Sequence, residues 1–257
     1  MVITTETRLV SYLRPVPLVV FVLFWEFLVR GNEQLIFFFG QPSRIAVYCF
    51  TKILDGSLPT DFSITFIEAT LGFVIGNVFG TVCGLALWYS NTAFRIARPY
   101  IIALGSAPIF AFAPLLIIWF GTGIFSKVMI ASLSTVFIAL LQSYTGAADV
   151  SDDHLRLMKT FGATKNQMFR KVVAPSSIVW VMSAYRMNVG FAILGAFIGE
   201  YISSSYGLGH LILVASGLFD ISLVLCGILM LVLIALILTW AVGKIEMPLK
   251  QFVVKRL

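Results

Sequence analysis

Residues 221–242 run for 22 positions without a charged side chain, an almost unbroken series of Leu, Ile, Val and Ala. In such a stretch the backbone N–H and C=O groups must find partners without water, and in lipid a single segment manages this as a helix. A hydrocarbon core of roughly 30 Å takes about 20 apolar residues in a helix. By that measure further spans are expected over residues 67–89, 100–120, 128–148 and 178–198. A shorter run, residues 16–29, follows Arg8 and Arg14 as a secretory signal would. Arg30-Gly31-Asn32-Glu33 stand where a small-residue cleavage site should be, so this run is expected to be a retained anchor span, extended back towards Tyr12. Residues 34–60 are mixed; Pro42-Ser43 starts a short amphipathic helix through Leu54, and Asp55-Gly56-Ser57 is a turn. This stretch is expected to lie along the outer surface. The fold class is all-α, an integral membrane protein with about six transmembrane helices.

Composition agrees. Hydrophobic residues make up 59% of the chain and charged residues 12%, about half the charge of an ordinary soluble domain. The net charge of +6 is not a nucleic-acid signature, because no soluble segment interleaves basic and aromatic residues. It follows the positive-inside bias instead. With six spans both termini share one side, and 13 Lys and Arg fall on that side: Arg8, Arg14, Arg95, Arg98, five in residues 149–171, and Lys244, Lys250, Lys255 and Arg256. Arg30, Arg44, Lys52 and Lys127 fall on the other, and Arg186 lies inside a span. The expected location is the inner membrane, with both termini cytoplasmic. Cys49, Cys83 and Cys226 are odd in number and widely spaced, and His154 and His210 are the two histidines. Neither a disulfide framework nor a metal site is expected.

Several residues interrupt the apolar runs. Gly72, Gly76, Gly80 and Gly84 recur every four positions, the small-residue stripe that lets helix backbones approach. Gly105-Ser106-Ala107-Pro108 and Ala113-Pro114 break the backbone ladder of the third span, as happens where a helix is buried in protein or borders a cavity. Ser106, Pro108, Phe112 and Pro114 are therefore candidates for a pathway lining. Arg186, eight residues into the fifth span, is an intramembrane cation and a candidate contact for an anionic solute. Glu200 ends that span ahead of Ser203-Ser204-Ser205-Tyr206-Gly207-Leu208-Gly209, where Gly207 and Gly209 permit a tight re-entrant turn acting as an outer gate. Glu26 and Glu68 read as ordinary interfacial carboxylates near the outer ends of their spans.

Residues 149–171 form one polar island between two spans, carrying Arg156, Lys159, Lys165, Arg170 and Lys171. Asp152 or Asp153 can cap a helix through Phe161; Gly162 breaks it. Thr164 can cap a second helix over residues 165–173, ended before Pro175. Charge concentrated in one cytoplasmic loop points to docking of a soluble partner. The order F-G-A-T-K-N-Q-M-F-R-K-V-V-A-P, with Gly and Pro 13 positions apart, resembles the coupling loop of bacterial ABC importer permeases. Q-P-S-R-I-A-V from Gln41, A-P-I-F-A-F-A-P-L-L-I-I-W-F-G-T-G from Ala107 and S-S-Y-G-L-G-H-L-I from Ser204 resemble the nitrate, sulfonate and taurine branch of that family. The similarity covers residues 42–250. Where the family has Glu-Ala-Ala this chain has Arg156-Leu157-Met158, and Ala174 replaces the Leu before Pro175.

The resemblance implies a single permease domain over residues 1–257, with an anchor span and outer loop over 1–41 and the coupling loop over 149–175. It implies a pathway for a small, anionic solute and a cytoplasmic coupling helix between spans four and five. Asp153, Arg156, Leu157, Met158, Lys159, Phe161, Gly162, Ala163 and Pro175 would meet the ATPase. The implied partners are an ATPase dimer, a second permease copy, an extracytoplasmic binding protein and membrane lipid. ATP and Mg would be held by the ATPase, since the chain has no G-x-x-x-x-G-K-[ST] loop and no residue set for catalysis. Two alternatives remain: a secondary transporter, which calls for an inverted repeat and paired ionisable groups at midplane, and a membrane scaffold that recruits a soluble partner.

Overall fold

The computed structural model describes Leu13 and residues 15–254. The extension towards Tyr12 and the charges at Arg8, Arg14, Lys255 and Arg256 lie outside the described residues. Those described form helices and connecting turns: α1 (Val16–Val29), α2 (Glu33–Phe39), α3 (Pro42–Leu54), α4 (Ser57–Leu87), α5 (Asn91–Ser106), α6 (Ile109–Phe120), α7 (Ile124–Ala148), α8 (Asp152–Thr160), α9 (Lys165–Met168), α10 (Ala174–Ile202), α11 (Leu208–Gly217) and α12 (Ile221–Val254). Among the described residues four helical stretches are long and apolar enough to cross a membrane: α4, α7, Lys165–Ile202 and Ile221–Leu249. The pair α5 and α6, bent by 92° at its break, makes a fifth if counted as one span. At 14 residues α1 is about 21 Å long, short of the hydrocarbon thickness.

The chain divides into two compact units, one of residues 1–59 and 211–229, the other of residues 60–210 and 230–257. In the first, Glu26 of α1 accepts hydrogen bonds from Gln41 Nε2 at 2.6 Å, Ser43 N at 3.0 Å and Ser43 Oγ at 2.9 Å. A carboxylate in an apolar helix thus caps the amino end of α3. The cysteine expectation is corrected here: Cys49 of α3 and Cys226 of α12 form a disulfide, with Cα atoms 5.8 Å apart and 177 residues between them in sequence. Linear spacing carried no trace of it, because the pairing is made by α3 lying beside the first turns of α12.

In the second unit α7 is the central helix, and its most extensive packing is against α10. The glycine stripe of α4 rests on α7. A Cβ at Gly72, Gly76, Gly80 or Gly84 would run into Ala131, Thr135 and Ser132, Val136 and Ala139, or Leu140 and Ser143 respectively. The partner face of α7 is itself small at every fourth residue (Ala131, Thr135, Ala139, Ser143), so two backbones lie in direct contact. Asn188 of α10 ties the three helices together, donating to Asn77 Oδ1 at 2.7 Å and to the Thr135 carbonyl at 3.1 Å. On the far side Ala113 and Leu116 of α6 bury against Ile130 of α7.

Two proline expectations change. The bend of the third span sits at Ala107–Pro108, both extended, whereas Pro114 stays inside unbroken α6. The island's second helix does not end before Pro175. It passes through a π-helical turn, Phe169–Val173, into α10 with Pro175 in its first turn. The extra residue in the turn shifts the hydrogen-bond register, and Pro175 has no N–H to lose. A direct check of the disulfide is alkylation of the membrane-embedded protein with a polyethylene-glycol maleimide. Only Cys83 should react before reduction and all three cysteines after it. Labelling of Cys49 and Cys226 without reductant would contradict the pairing.

Candidate functional site

Three places in the second unit gather the singled-out residues. The first is the entry to α11. Gly207 adopts φ +100°, and its N–H donates to Asp61 Oδ1 at 2.7 Å. The next N–H, of Leu208, donates to Thr65 Oγ1 at 2.9 Å, and Gly209 N–H donates to Glu200 Oε2 at 2.7 Å. The Thr65 hydroxyl donates in turn to Glu200 Oε1 at 2.7 Å. The first N–H groups of a helix have no intrahelical partner, and here residues of α4 and α10 supply three acceptors. Neither glycine tolerates a side chain: a Cβ at Gly207 would fall on the Glu200 carboxylate, and one at Gly209 would lie 2.6 Å from the Phe197 carbonyl oxygen.

Glu200 is fully buried, and so, nearly, are Glu68 and Lys127. The Glu68 carboxyl lies within hydrogen-bonding reach of Glu200, and the Lys127 charge acts on both. Lys127 Nζ donates to the Thr122 carbonyl, and its stem packs where a Cβ on Gly199 would otherwise sit. Two assignments from sequence are thereby corrected. Glu68 is no interfacial carboxylate and Lys127 no loop cation; both are enclosed in one polar cluster beneath the turn. Asp61, Thr65 and Glu68 recur at i, i+4 and i+7, one face of α4 continuous with the glycine stripe, and that spacing was the available signal.

The second place is a cavity of about 300 Å³ at the Ala107–Pro108 break. Ser106, Pro108 and Phe110 border it from the broken span, Ser134 and Phe137 from α7, and Phe191 from α10. Phe112 and Pro114 are not among its lining. Arg186 is not either; its guanidinium pairs with Glu246 of α12 at 2.5 Å.

The third place is α8. Ser151, not Asp152 or Asp153, is its N-cap, accepting from Asp153 N–H at 3.3 Å. The two aspartates sit in the first turn, where the helix dipole favours negative charge. At the other end Gly162, at φ +72°, donates to the Lys159 carbonyl at 2.9 Å, and Ala163 N–H donates to the Met158 carbonyl at 3.0 Å. This is a Schellman closure, which needs a left-handed residue. A capping box of Thr164 and Gln167 then starts α9. Lys165 Nζ donates to the Tyr89 carbonyl at 2.6 Å, Tyr89 Oη donates to Asn166 Oδ1 at 3.1 Å, and Phe169 packs on Trp88 and Tyr89. The base of the island is thus fixed to the end of α4. By contrast α8 buries no residue; Leu157 and Phe161 are 55% and 77% exposed.

Removing the buried lysine takes the hydrogen bond from the Thr122 carbonyl and the nearby positive charge from Glu68 and Glu200, and breaking a buried pairing costs about 3–5 kcal/mol. Lys127→Met should therefore destabilise the solubilised protein by about 3 kcal/mol, while Lys244→Met, whose ammonium lies over Trp240, changes little. Equal thermal shifts for the two variants would show that the cluster contributes no more than a surface charge.

Comparison with known proteins converges on one family. Residues 76–249 match the family described as the binding-protein-dependent transport system inner membrane component. A probable ABC transporter permease protein of Haemophilus influenzae is 29% identical over 234 residues, covering 91% of this chain and 95% of that one. The formylaminopyrimidine transport permease protein ThiX of Halalkalibacterium halodurans is 30% identical over 189 residues, covering 72% and 74%. The taurine transport system permease protein TauC of Escherichia coli is 25% identical, covering 72% and 67%. Among solved structures, an inward-facing conformation of the MetNI methionine ABC transporter superposes with a TM-score of 0.65 at 15% identity, over 74% of this chain and 94% of that one, which is a likeness of fold. The chain belongs to the binding-protein-dependent inner membrane component family and is the multi-pass permease subunit of an ABC importer, in a family whose ATPase is a separate subunit.

Proposed function

We propose that α8 is the coupling helix, the element through which a separate ATPase drives this permease. One observation carries this: α8 is a well-capped helix with no buried residue, and Leu157 within it and Phe161 at its end are exposed beside Arg156 and Lys159. A helix received in a groove binds through a few apolar anchors, here Leu157, Met158 and Phe161, with the basic residues steering towards an acidic rim. Asp153 opens the helix, Gly162 and Ala163 close it, and Pro175 returns the chain to the membrane.

In this scheme two permease copies and two ATPase chains form the complex, ATP and Mg stay with the ATPase, and an extracytoplasmic binding protein delivers the solute. The whole chain is one permease domain with its core over residues 42–250, the coupling loop over 149–175, and α1 serving as the sixth span of an anchor segment over 1–41. Both termini face the cytoplasm. The Cys49–Cys226 disulfide supports an outer location for those two residues, because such bonds persist in an oxidising compartment. The capped entry to α11, through Glu200, Gly207 and Gly209, is the outer gate. Ser106 and Pro108, with Phe112 and Pro114 behind them, belong to the pathway wall, and Arg186 acts through its tie to Glu246. Named solutes of relatives include formylaminopyrimidine, riboflavin and taurine, and a small solute of that range is the proposed cargo.

Two substitutions separate coupling from folding. Leu157→Asp places a charge in the expected groove, and a buried anchor lost costs about 2 kcal/mol or more. Gly162→Pro is incompatible with φ +72° and removes the bond to Lys159. Both should leave the permease in the membrane while ATP-dependent uptake falls at least about tenfold; Lys159→Ala should fall less and become salt-sensitive. Normal uptake with Leu157→Asp would remove α8 from the coupling route.

A further inference from the structure

The cavity at the Ala107–Pro108 break makes a statement about solute chemistry. Among the described residues none of the 13 that line it is charged; three are Phe (Phe110, Phe137 and Phe191) and two carry hydroxyls (Ser106 and Ser134). The deep cations are engaged elsewhere. Arg186 is paired with Glu246, and Lys127 is enclosed with Glu68 and Glu200. An anion entering here would leave water without a counter-charge, which is strongly unfavourable at membrane depth. Helix ends do not supply one. The carboxyl end of α5 and the amino end of α6 both border the cavity, and their partial charges are opposite in sign.

What the site does offer is a neutral, two-sided match. Pro108 has no N–H to give the carbonyl four residues before it, so the end of α5 is rich in acceptors, while the first amides of α6 are donors. Ser134 Oγ donates to the Ile130 carbonyl at 2.8 Å, which leaves its oxygen free to accept. Three aromatic rings around a space of about 300 Å³ suit a flat ring, through stacked or edge contacts. We propose that this cavity takes an uncharged, ring-containing solute that carries both hydrogen-bond donors and acceptors, in place of the anion suggested by the resemblance in sequence. This rests on the importer function proposed above.

The test uses the complete complex of permease, ATPase and binding protein in proteoliposomes loaded with ATP. The small-molecule fraction of a cell extract is offered outside, and mass spectrometry identifies what accumulates inside only when ATP is present. The expected species is uncharged at pH 7 and contains a planar ring. Accumulation of a net anion or of an acyclic solute overturns the proposal while leaving the importer function standing; no ATP-dependent accumulation at all overturns both. With the accumulated species as substrate, Phe137→Ala should lower uptake about tenfold, the value of one good aromatic contact, and Phe137→Tyr should retain most of it. Unchanged uptake by Phe137→Ala, in complexes that purify fully assembled, would place the solute elsewhere.

Discussion

Direct backbone contact between helices at α7 is the constraint on which the second unit rests. In lipid there is no hydrophobic gain from pairing two apolar helices, so van der Waals packing must supply it, and that requires glycine and small residues at the seam. Gly72, Gly76, Gly80 and Gly84 bring α4 onto α7, and Gly195 and Gly199 bring α10 onto its Ala131 and Lys127 positions. Once three backbones are this close, polar groups can bridge them without water. Asn188 reaches Asn77 and Thr135, and at one end of the same seam Glu200 reaches Thr65 and the turn before α11.

The consequence is a division of labour along the bundle. At the α11 end Asp61, Thr65 and Glu200 accept from three successive backbone N–H groups, which holds a sharp turn in one conformation. In the middle, at the Ala107–Pro108 break, the backbone is open and the lining is apolar apart from two serines. At the island end the packing stops altogether, and α8 stands on a base fixed by Lys165, Asn166 and Phe169 to Trp88 and Tyr89. A rigid base with an unpacked helix above it suits transmission of a movement made by a docked partner. A solvated loop would have no need for a Schellman closure followed at once by a capping box.

Much of this was legible in the residues. Four of the six expected spans, and the bent α5–α6 pair as a fifth, follow from apolar run length; the α4–α7 seam follows from glycines at a four-residue period, and the island's hinge from Gly162. Gly207 and Gly209 were visible because a turn that tight needs them. Two of the failures share one physical cause: tertiary partners far apart in sequence. Lys127 sits at the head of a span and counted as a loop charge until α10 covered it. Cys49 and Cys226 have no local relation at all. Pro114 and Pro175 mark where a helix could break, yet whether it does depends on what the neighbouring turn can absorb. Within α4, by contrast, Asp61, Thr65 and Glu68 announce a shared face, and an ionisable residue on a face that continues as a packing stripe is an enclosed one.

The central claim is that α8 is where an ATPase engages this chain. Single cysteines at residues 157 and 161, with residue 244 as a comparison and Cys83 replaced by serine, can be cross-linked in native membranes to a co-expressed ATPase by a short bifunctional maleimide. The account predicts cross-links from 157 and 161 that change yield when ATP is added, and none of comparable yield from 244. Labelling of 157 and 161 by an impermeant reagent applied outside intact cells, or cross-linking to the ATPase from 244 alone, would contradict it.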